Sequence, residues 1–473
     1  MSVKEVGGRL RNSENPKWAH HFAVFMLVIV VYHLVMNIYS GDSITMFAVE
    51  NTSTWPLLVD TLKMRYREVT SRTLIELFLF PLSNHVILWK IANIAVYALL
   101  VWSLMRITDY RYSKLVFGLW LIYPVYEMSS AGWIATYMNY LWPLAFGTYA
   151  MISLKKIYCG ERVYAFEWVT FLLAFLFAGN VEQMNVLILC VLIYFGIDYY
   201  IIGKRKDRIW FFLLAATITA ANLIYIIVCP GRVNRAWFEV RWMHDYGTLS
   251  IIDKGVLGVN DTVYKLLVNP IFLLFVIALF ILGILDYIYK KPQQRNLIGK
   301  IIRLSYIFPL VCTFILIGIR IFGSSGFSGS SVLTTNVINL FSSNTNKVDG
   351  VTWINISYYT PFIVNMAMLI SIIVALLNLF DDERKNIRLV SMFFIGLITH
   401  VMMGLSPTLY ASNLRMFIFF NAMMIYVLIL MYDYSRELRK NVHPYITKSC
   451  SCIYSACVVL SVVMGVINAA FKA

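Results

Sequence analysis

Residues 266–289 read LLVNPIFLLFVIALFILGILDYIY, with a single carboxylate, Asp286, close to the end. A helix rises 1.5 Å per residue, so about 20 apolar residues cross a hydrocarbon core ~30 Å thick. This stretch is long enough to do so. Working outward, comparable runs lie at 20–39, 84–104, 115–126, 139–154, 166–179, 184–203, 209–229, 303–322, 357–380, 389–405, 414–432 and 449–470. The runs at 115–126 and 166–179 are short and read as broken or re-entrant helices. Composition agrees with lipid as the solvent, since 60% of the 473 residues are hydrophobic and 14% charged. An ordinary soluble chain is nearer half apolar and a quarter charged. The expected fold class is therefore an all-α membrane protein of about 13 transmembrane helices (11 to 13), in one polytopic domain, 1–473.

Lys and Arg set the orientation. With the N-terminus inside, the segments 1–17, 105–114, 155–165, 204–208, 290–303, 381–388 and 433–448 are cytoplasmic and hold 26 of the 40 basic residues. The acids divide almost evenly between the two sides, so the bias belongs to Lys and Arg. The net charge of +15 is then mainly a topology signal with some attraction to anionic headgroups. Charges dispersed around spans do not make a nucleic-acid surface. The chain reads as a multi-pass protein of the cell (inner or plasma) membrane, with the N-terminus cytoplasmic and the C-terminus extracytoplasmic. The first run, followed by Tyr39-Ser40-Gly41-Asp42, lacks a small-residue cleavage site and reads as a retained helix.

The outer segments are the richer ones. The first, 40–83, carries apolar residues at helical spacing from Leu62 to Phe80, which predicts an amphipathic helix on the membrane surface. The others of note are 230–265 and 323–356, the latter rich in Gly, Ser, Thr and Asn and read as a flexible loop or lid. The seven cysteines and seven histidines are scattered and suggest no metal set. No phosphate loop or dinucleotide fingerprint occurs, so no cofactor is implied, and a divalent cation requirement is left open.

Several polar residues sit at predicted outer helix ends. Asp42 lies just past the first helix, where a carboxylate can take a proton from a hydroxyl; the bland reading is a helix-flanking acid. Glu182 belongs to a polar island, Gly179-Asn180-Val181-Glu182-Gln183-Met184-Asn185, between two apolar runs; it is otherwise a hairpin tip. Arg72, Arg232, Arg235 and Arg415 run against the topology bias, and a guanidinium fork matches phosphate geometry. General headgroup binding competes with a specific site, most of all for the trio Arg65, Arg67 and Arg72. Asn139 and Trp142, in Asn139-Tyr140-Leu141-Trp142-Pro143, suit either an aromatic belt or a sugar platform.

This pattern resembles the GT-C class of membrane glycosyltransferases, especially its bacterial surface-polysaccharide and O-antigen-modifying members. The resemblance rests on Gly41-Asp42, Asn139 to Pro143, Gly179-Asn180 with Glu182, Pro230-Gly231 with Arg235, and Ser406-Pro407 with Arg415, in that order along most of the chain. It implies a polyprenyl-phosphate sugar donor, a glycan or lipid-linked acceptor and a site on the extracytoplasmic face. It further implies that Asp42 deprotonates or orients the acceptor hydroxyl, while Arg235 and Arg415 hold the leaving phosphate. The chain departs from many members in following Asp42 with Ser43 rather than a second acid. A polysaccharide repeat-unit polymerase and a lipid-linked glycan flippase are the rival readings. The flippase fits less well, since internal repeats are not evident.

The orientation predicts that Ser43→Cys and Ser325→Cys react with a membrane-impermeant maleimide in intact cells, whereas Lys206→Cys reacts only after permeabilisation. The reverse pattern overturns the topology.

Overall fold

The computed structural model describes residues 17–38, 54–289, 297–323, 360–412 and 414–471. Asp42, Ser43 and residues 324–356 lie outside the described residues. Among the described residues, 85% are helical and none forms a strand. Hydrocarbon explains this, because a helix bonds its own N–H and C=O groups where an open sheet edge leaves them exposed to lipid.

Among the described residues, ten helices are long and apolar enough to span a membrane. Each of the thirteen expected spans coincides with a helix, but three fall outside those ten. Ser113–Ile122 and Ala165–Ala178 have 10 and 14 residues, too short to cross unaided. Trp142–Cys159 is long enough, and continues a helix that starts at Trp133, but with Lys155 and Lys156 near its end it is not apolar enough to count.

The chain forms two compact units, Met1–Phe238 with Tyr454–Ala473, and Glu239–Ile453. The first contains α1 (Trp18–Val35), α2 (Trp55–Glu68), α3 (Thr73–Ser83), α4 (Val86–Ile107), α5 (Ser113–Ile122), α6 (133–159), α7 (Ala165–Ala178), α8 (Glu182–Phe195), α9 (Ile209–Ile227) and α10 (Pro230–Glu239). Its centre is α6, packed on α4 and α7, while α1 lies on α4 and α5. Trp89, Trp133, Tyr32, Tyr137 and Phe25 are fully buried there. Within α6 the turn Tyr137–Leu141 is π-helical, a wide turn in which one extra residue is accommodated.

A buried polar chain crosses this core. The His33 Nδ1 lies 2.7 Å from the Ile29 carbonyl, which can only accept, so Nδ1 carries the proton. Nε2 is thereby left to accept from Asn93 Nδ2 at 2.8 Å, and Asn93 Oδ1 accepts from Trp142 Nε1 at 3.0 Å. Each polar group is matched, as burial demands.

The second unit contains α11 (Ile251–Leu266), α12 (Pro270–Tyr289), α13 (Leu297–Gly323), α14 (Thr360–Leu377), α15 (Glu383–Val401), α16 (Ile418–Tyr434) and α17 (Arg436–Lys440). The last helix, α18 (Pro444–Phe471), begins in the second unit and ends in the first. In the second unit α15 packs on α16, α13 on α14, and α11 on the turn Met402–Leu405. Segment 230–265, expected on the outer side, is thus mostly helical, with Ser250 and Asp253 forming a reciprocal cap at the start of α11.

The expected amphipathic helix over 62–80 requires a correction: it is two helices, α2 and α3, separated at 69–72. The apolar spacing was right for each half, but Thr70 and Ser71 offer the backbone alternatives to a helix. Thr70 Oγ1 accepts from the Arg72 N–H at 3.3 Å, and the Ser71 carbonyl accepts from the Thr73 N–H at 2.9 Å. Asn180 then clamps the break, accepting from the Leu74 N–H at 3.0 Å and donating to the Ser71 carbonyl at 3.3 Å.

α10 is pressed onto the end of α2 just before this break. A Cβ on Gly231 would fall 2.3 Å from the Val69 nitrogen and 2.8 Å from the Tyr66 oxygen, both backbone atoms that cannot swing away. Gly231→Ala is therefore predicted to destabilise by about 1–3 kcal/mol. Gly255→Ala is the control: no atom lies within 4 Å of that Cβ position, and α11 should gain a few tenths to ~1 kcal/mol. Apparent melting temperatures in detergent should fall for the first and rise for the second.

Candidate functional site

The break between α2 and α3 puts Arg72 at the start of α3, facing α6 and α8. Arg72 Nε and Nη2 both donate to Glu182 Oε2, at 3.1 and 2.8 Å, and Nη1 donates to Asn139 Oδ1 at 3.0 Å. The Arg72 guanidinium carbon is 6.0 Å from the centre of the Tyr140 ring. Asn139 is itself held by the π turn, its Nδ2 donating to the Ala135 carbonyl at 2.8 Å. Three segments singled out one by one in the sequence thus meet at one point. Burial pulls the Arg72 guanidinium down; the Glu182 carboxylate, with Tyr140, more than offsets that and holds it above its ordinary value.

Glu182 opens α8, where the exposed N–H groups of the first turn favour a carboxylate. The side chain of Arg72 is 15% exposed and that of Glu182 31%, so the cation is the deeper partner. Both Arg72 bonds go to Oε2, and Oε1 accepts from no other side chain among the described residues. A carboxylate with one oxygen fixed by a guanidinium and the other unclaimed by side chains can take a proton from a hydroxyl. The charge of Arg235 on α10 also acts on Glu182.

The other sequence candidates fall elsewhere. Arg232 and Arg235 are exposed on α10. Trp142 is buried, 7% exposed, with its indole N–H donated to Asn93. Its ring lies against Phe177 rather than offering an open face for stacking. Arg415 belongs to the second unit, half-buried in the short turn Leu414–Phe417 that leads into α16. Asp42 lies outside the described residues. Of the arginine trio, Arg65 is buried against Glu76 (Nη2 to Oε1 2.7 Å), Arg72 is held by Glu182, and Arg67 is exposed.

Sequence reading missed Asn180 as the clamp of the break and the Arg65–Glu76 pair; the polar island around Glu182 was the one signal for the former. It also missed a polar cluster inside the second unit. There Lys265 Nζ lies 2.9 Å from Asp261 Oδ2 and donates to the Leu409 carbonyl at 3.2 Å. His400 Nδ1 is 2.9 Å from Thr262 Oγ1, and Asn365 Nδ2 donates to Asn260 Oδ1 at 2.9 Å. Among the described residues no three His, Cys, Asp or Glu side chains gather as a metal-binding group.

Comparison of the chain with protein-family models, curated proteins and solved structures found no match. What is established is therefore the class: a multi-pass, all-helical membrane protein.

Removing one partner of the Arg72–Glu182 pair leaves an uncompensated charge in a largely buried place. Arg72→Gln is predicted to cost about 2–3 kcal/mol, below the range for fully buried pairs because Glu182 is nearly a third exposed. The double variant Arg72→Gln with Glu182→Gln should regain part of this, and a double-mutant cycle on apparent melting temperature measures the coupling.

Proposed function

We propose that this chain is a membrane glycosyltransferase that moves a sugar from a polyprenyl phosphate to a glycan or lipid-linked acceptor on the extracytoplasmic face. The observation that carries the reading is the Glu182 carboxylate, fixed on one oxygen by Arg72, which Asn139 also holds, and acted on by the charge of Arg235. That is an acid–base group beside cationic groups, the pairing that glycosyl transfer from a phosphate requires.

In the proposed reaction a carboxylate takes the proton from the acceptor hydroxyl. The freed oxygen attacks the anomeric carbon, the bond from that carbon to the phosphate oxygen breaks, and its electron pair leaves with the phosphate. Guanidinium groups stabilise the charge that develops there. Glu182 is a base on geometric grounds, and Asp42 on the ground of the sequence resemblance. Arg72 is a positioning residue, since three of its donors are already engaged by Glu182 and Asn139. Arg235, whose charge reaches Glu182, is the phosphate ligand, with Arg415 a second candidate from resemblance alone.

Transfer from a labelled polyprenyl-phosphate sugar in membranes tests this. Glu182→Gln and Asp42→Asn should each lower kcat by about 10²–10⁴ if the named carboxylate is the base. Arg235→Gln should raise KM for the donor more than it lowers kcat. Wild-type transfer by both carboxylate variants would overturn the reading, and intact chain polymerisation by Asp42→Asn would assign the protein to the polymerases instead.

A further inference from the structure

The outer side of α10 has the composition of a membrane-surface element. The helix starts three residues after α9, a helix long and apolar enough to span, so it lies at the level where that span leaves the hydrocarbon. One side is fixed to α2: Gly231 meets the Tyr66 and Val69 backbone, Cys229 Sγ donates to the Tyr66 carbonyl at 3.1 Å, and Asn234 Nδ2 donates to the Arg67 carbonyl at 3.4 Å. The remaining surface separates by character. Val233 and Trp237, four residues apart and so on one face, are 58% and 77% exposed, and Phe238, on the stripe of Gly231 and Asn234 but at the far end of the helix, is 76% exposed. Arg232 and Arg235, three apart, occupy another face and are exposed. Water is a poor solvent for Trp237 and Phe238, while the boundary between headgroups and acyl chains accommodates both faces.

The bond from Asn234 to Arg67 also brings the end of α2 alongside. Arg67 and Arg232 are both exposed, and neither side chain has a partner among the described residues. Glu68, in the same turn as Arg67, reduces this positive excess without cancelling it.

We propose that α10 and the end of α2 form a binding surface for anionic phospholipid headgroups, with Arg67 and Arg232 on the lipid phosphates and Val233, Trp237 and Phe238 in the acyl boundary. The occupant is the bilayer itself, because the element continues a spanning helix and offers cations above an apolar face. The surface assigns Arg67 and Arg232 a role that the transfer chemistry does not use.

The test places the full-length protein in nanodiscs of phosphatidylcholine alone or mixed with phosphatidylglycerol, and follows amide hydrogen exchange of residues 230–239. Each arginine near an anionic surface contributes roughly fivefold, so exchange should slow on the order of tenfold or more with phosphatidylglycerol. High salt should erase the difference. The double variant Arg67→Gln with Arg232→Gln should lose it, Arg67→Lys with Arg232→Lys should keep it, and Trp237→Ser with Phe238→Ser should speed exchange in both lipids. Equal exchange in the two discs overturns the proposal. So does equal protection by inorganic phosphate in phosphatidylcholine discs, which would mark a site for soluble anions. The readout uses no sugar donor, so it stands or falls independently of the transferase reading.

Discussion

A guanidinium beside hydrocarbon must find its counter-charge within the protein, and the Arg72–Glu182 pair is where this chain meets that demand. The architecture around it serves the pairing. The chain turns between α2 and α3 so that Arg72 points inward from the start of a helix. Asn180, two residues before Glu182, holds that turn by its backbone, so the loop bearing the acid also fixes the loop bearing the cation. The π turn of α6 supplies Asn139 as the third partner. Below it, Trp142, Asn93 and His33 form a fully matched chain that leaves α6 little freedom to rotate. A fault in any of these would be felt at the carboxylate, which is why a glycine contact as remote as Gly231 on Val69 belongs to the same account.

The helices were legible because lipid imposes a simple rule: long apolar runs become helices that bond their own backbone. Each predicted run is a helix for that reason. The errors came where polar side chains compete with the backbone. Thr70 and Ser71 break a stretch whose apolar spacing is unbroken, and spacing alone contains no term for a hydroxyl accepting from an N–H. Asn139 likewise lies within a helix rather than at its outer end, because α6 begins at Trp133.

The site was legible only as a set of suspicious residues. Glu182 stood out as an acid between apolar runs and Arg72 as a cation on the wrong side of the topology bias, but nothing in the sequence paired them. Their contact spans 110 positions and depends on how α3, α6 and α8 pack. Trp142 shows the opposite failure. Its aromatic neighbours suggested an open platform, yet the indole N–H is needed by a buried asparagine one layer down. The arginines at 65, 67 and 72 looked equivalent in sequence. Packing gives one a buried acid, one a partly exposed acid, and leaves the third exposed.

The separation of Arg72 from Glu182 also has a temporal side. Ribosomes add roughly 5–20 residues per second, so the acid emerges about 5–20 s after the cation it must neutralise. For that interval Arg72 is a nascent-chain charge without its mate. A continuous helix through 62–80 would bind that charge rigidly to the apolar residues that follow it. The interruption at 69–72 instead leaves Arg72 at the cap of α3, outside the apolar run that follows it. The break that aims Arg72 in the finished protein thus also keeps its charge off the apolar run of α3 while Glu182 is still to be made.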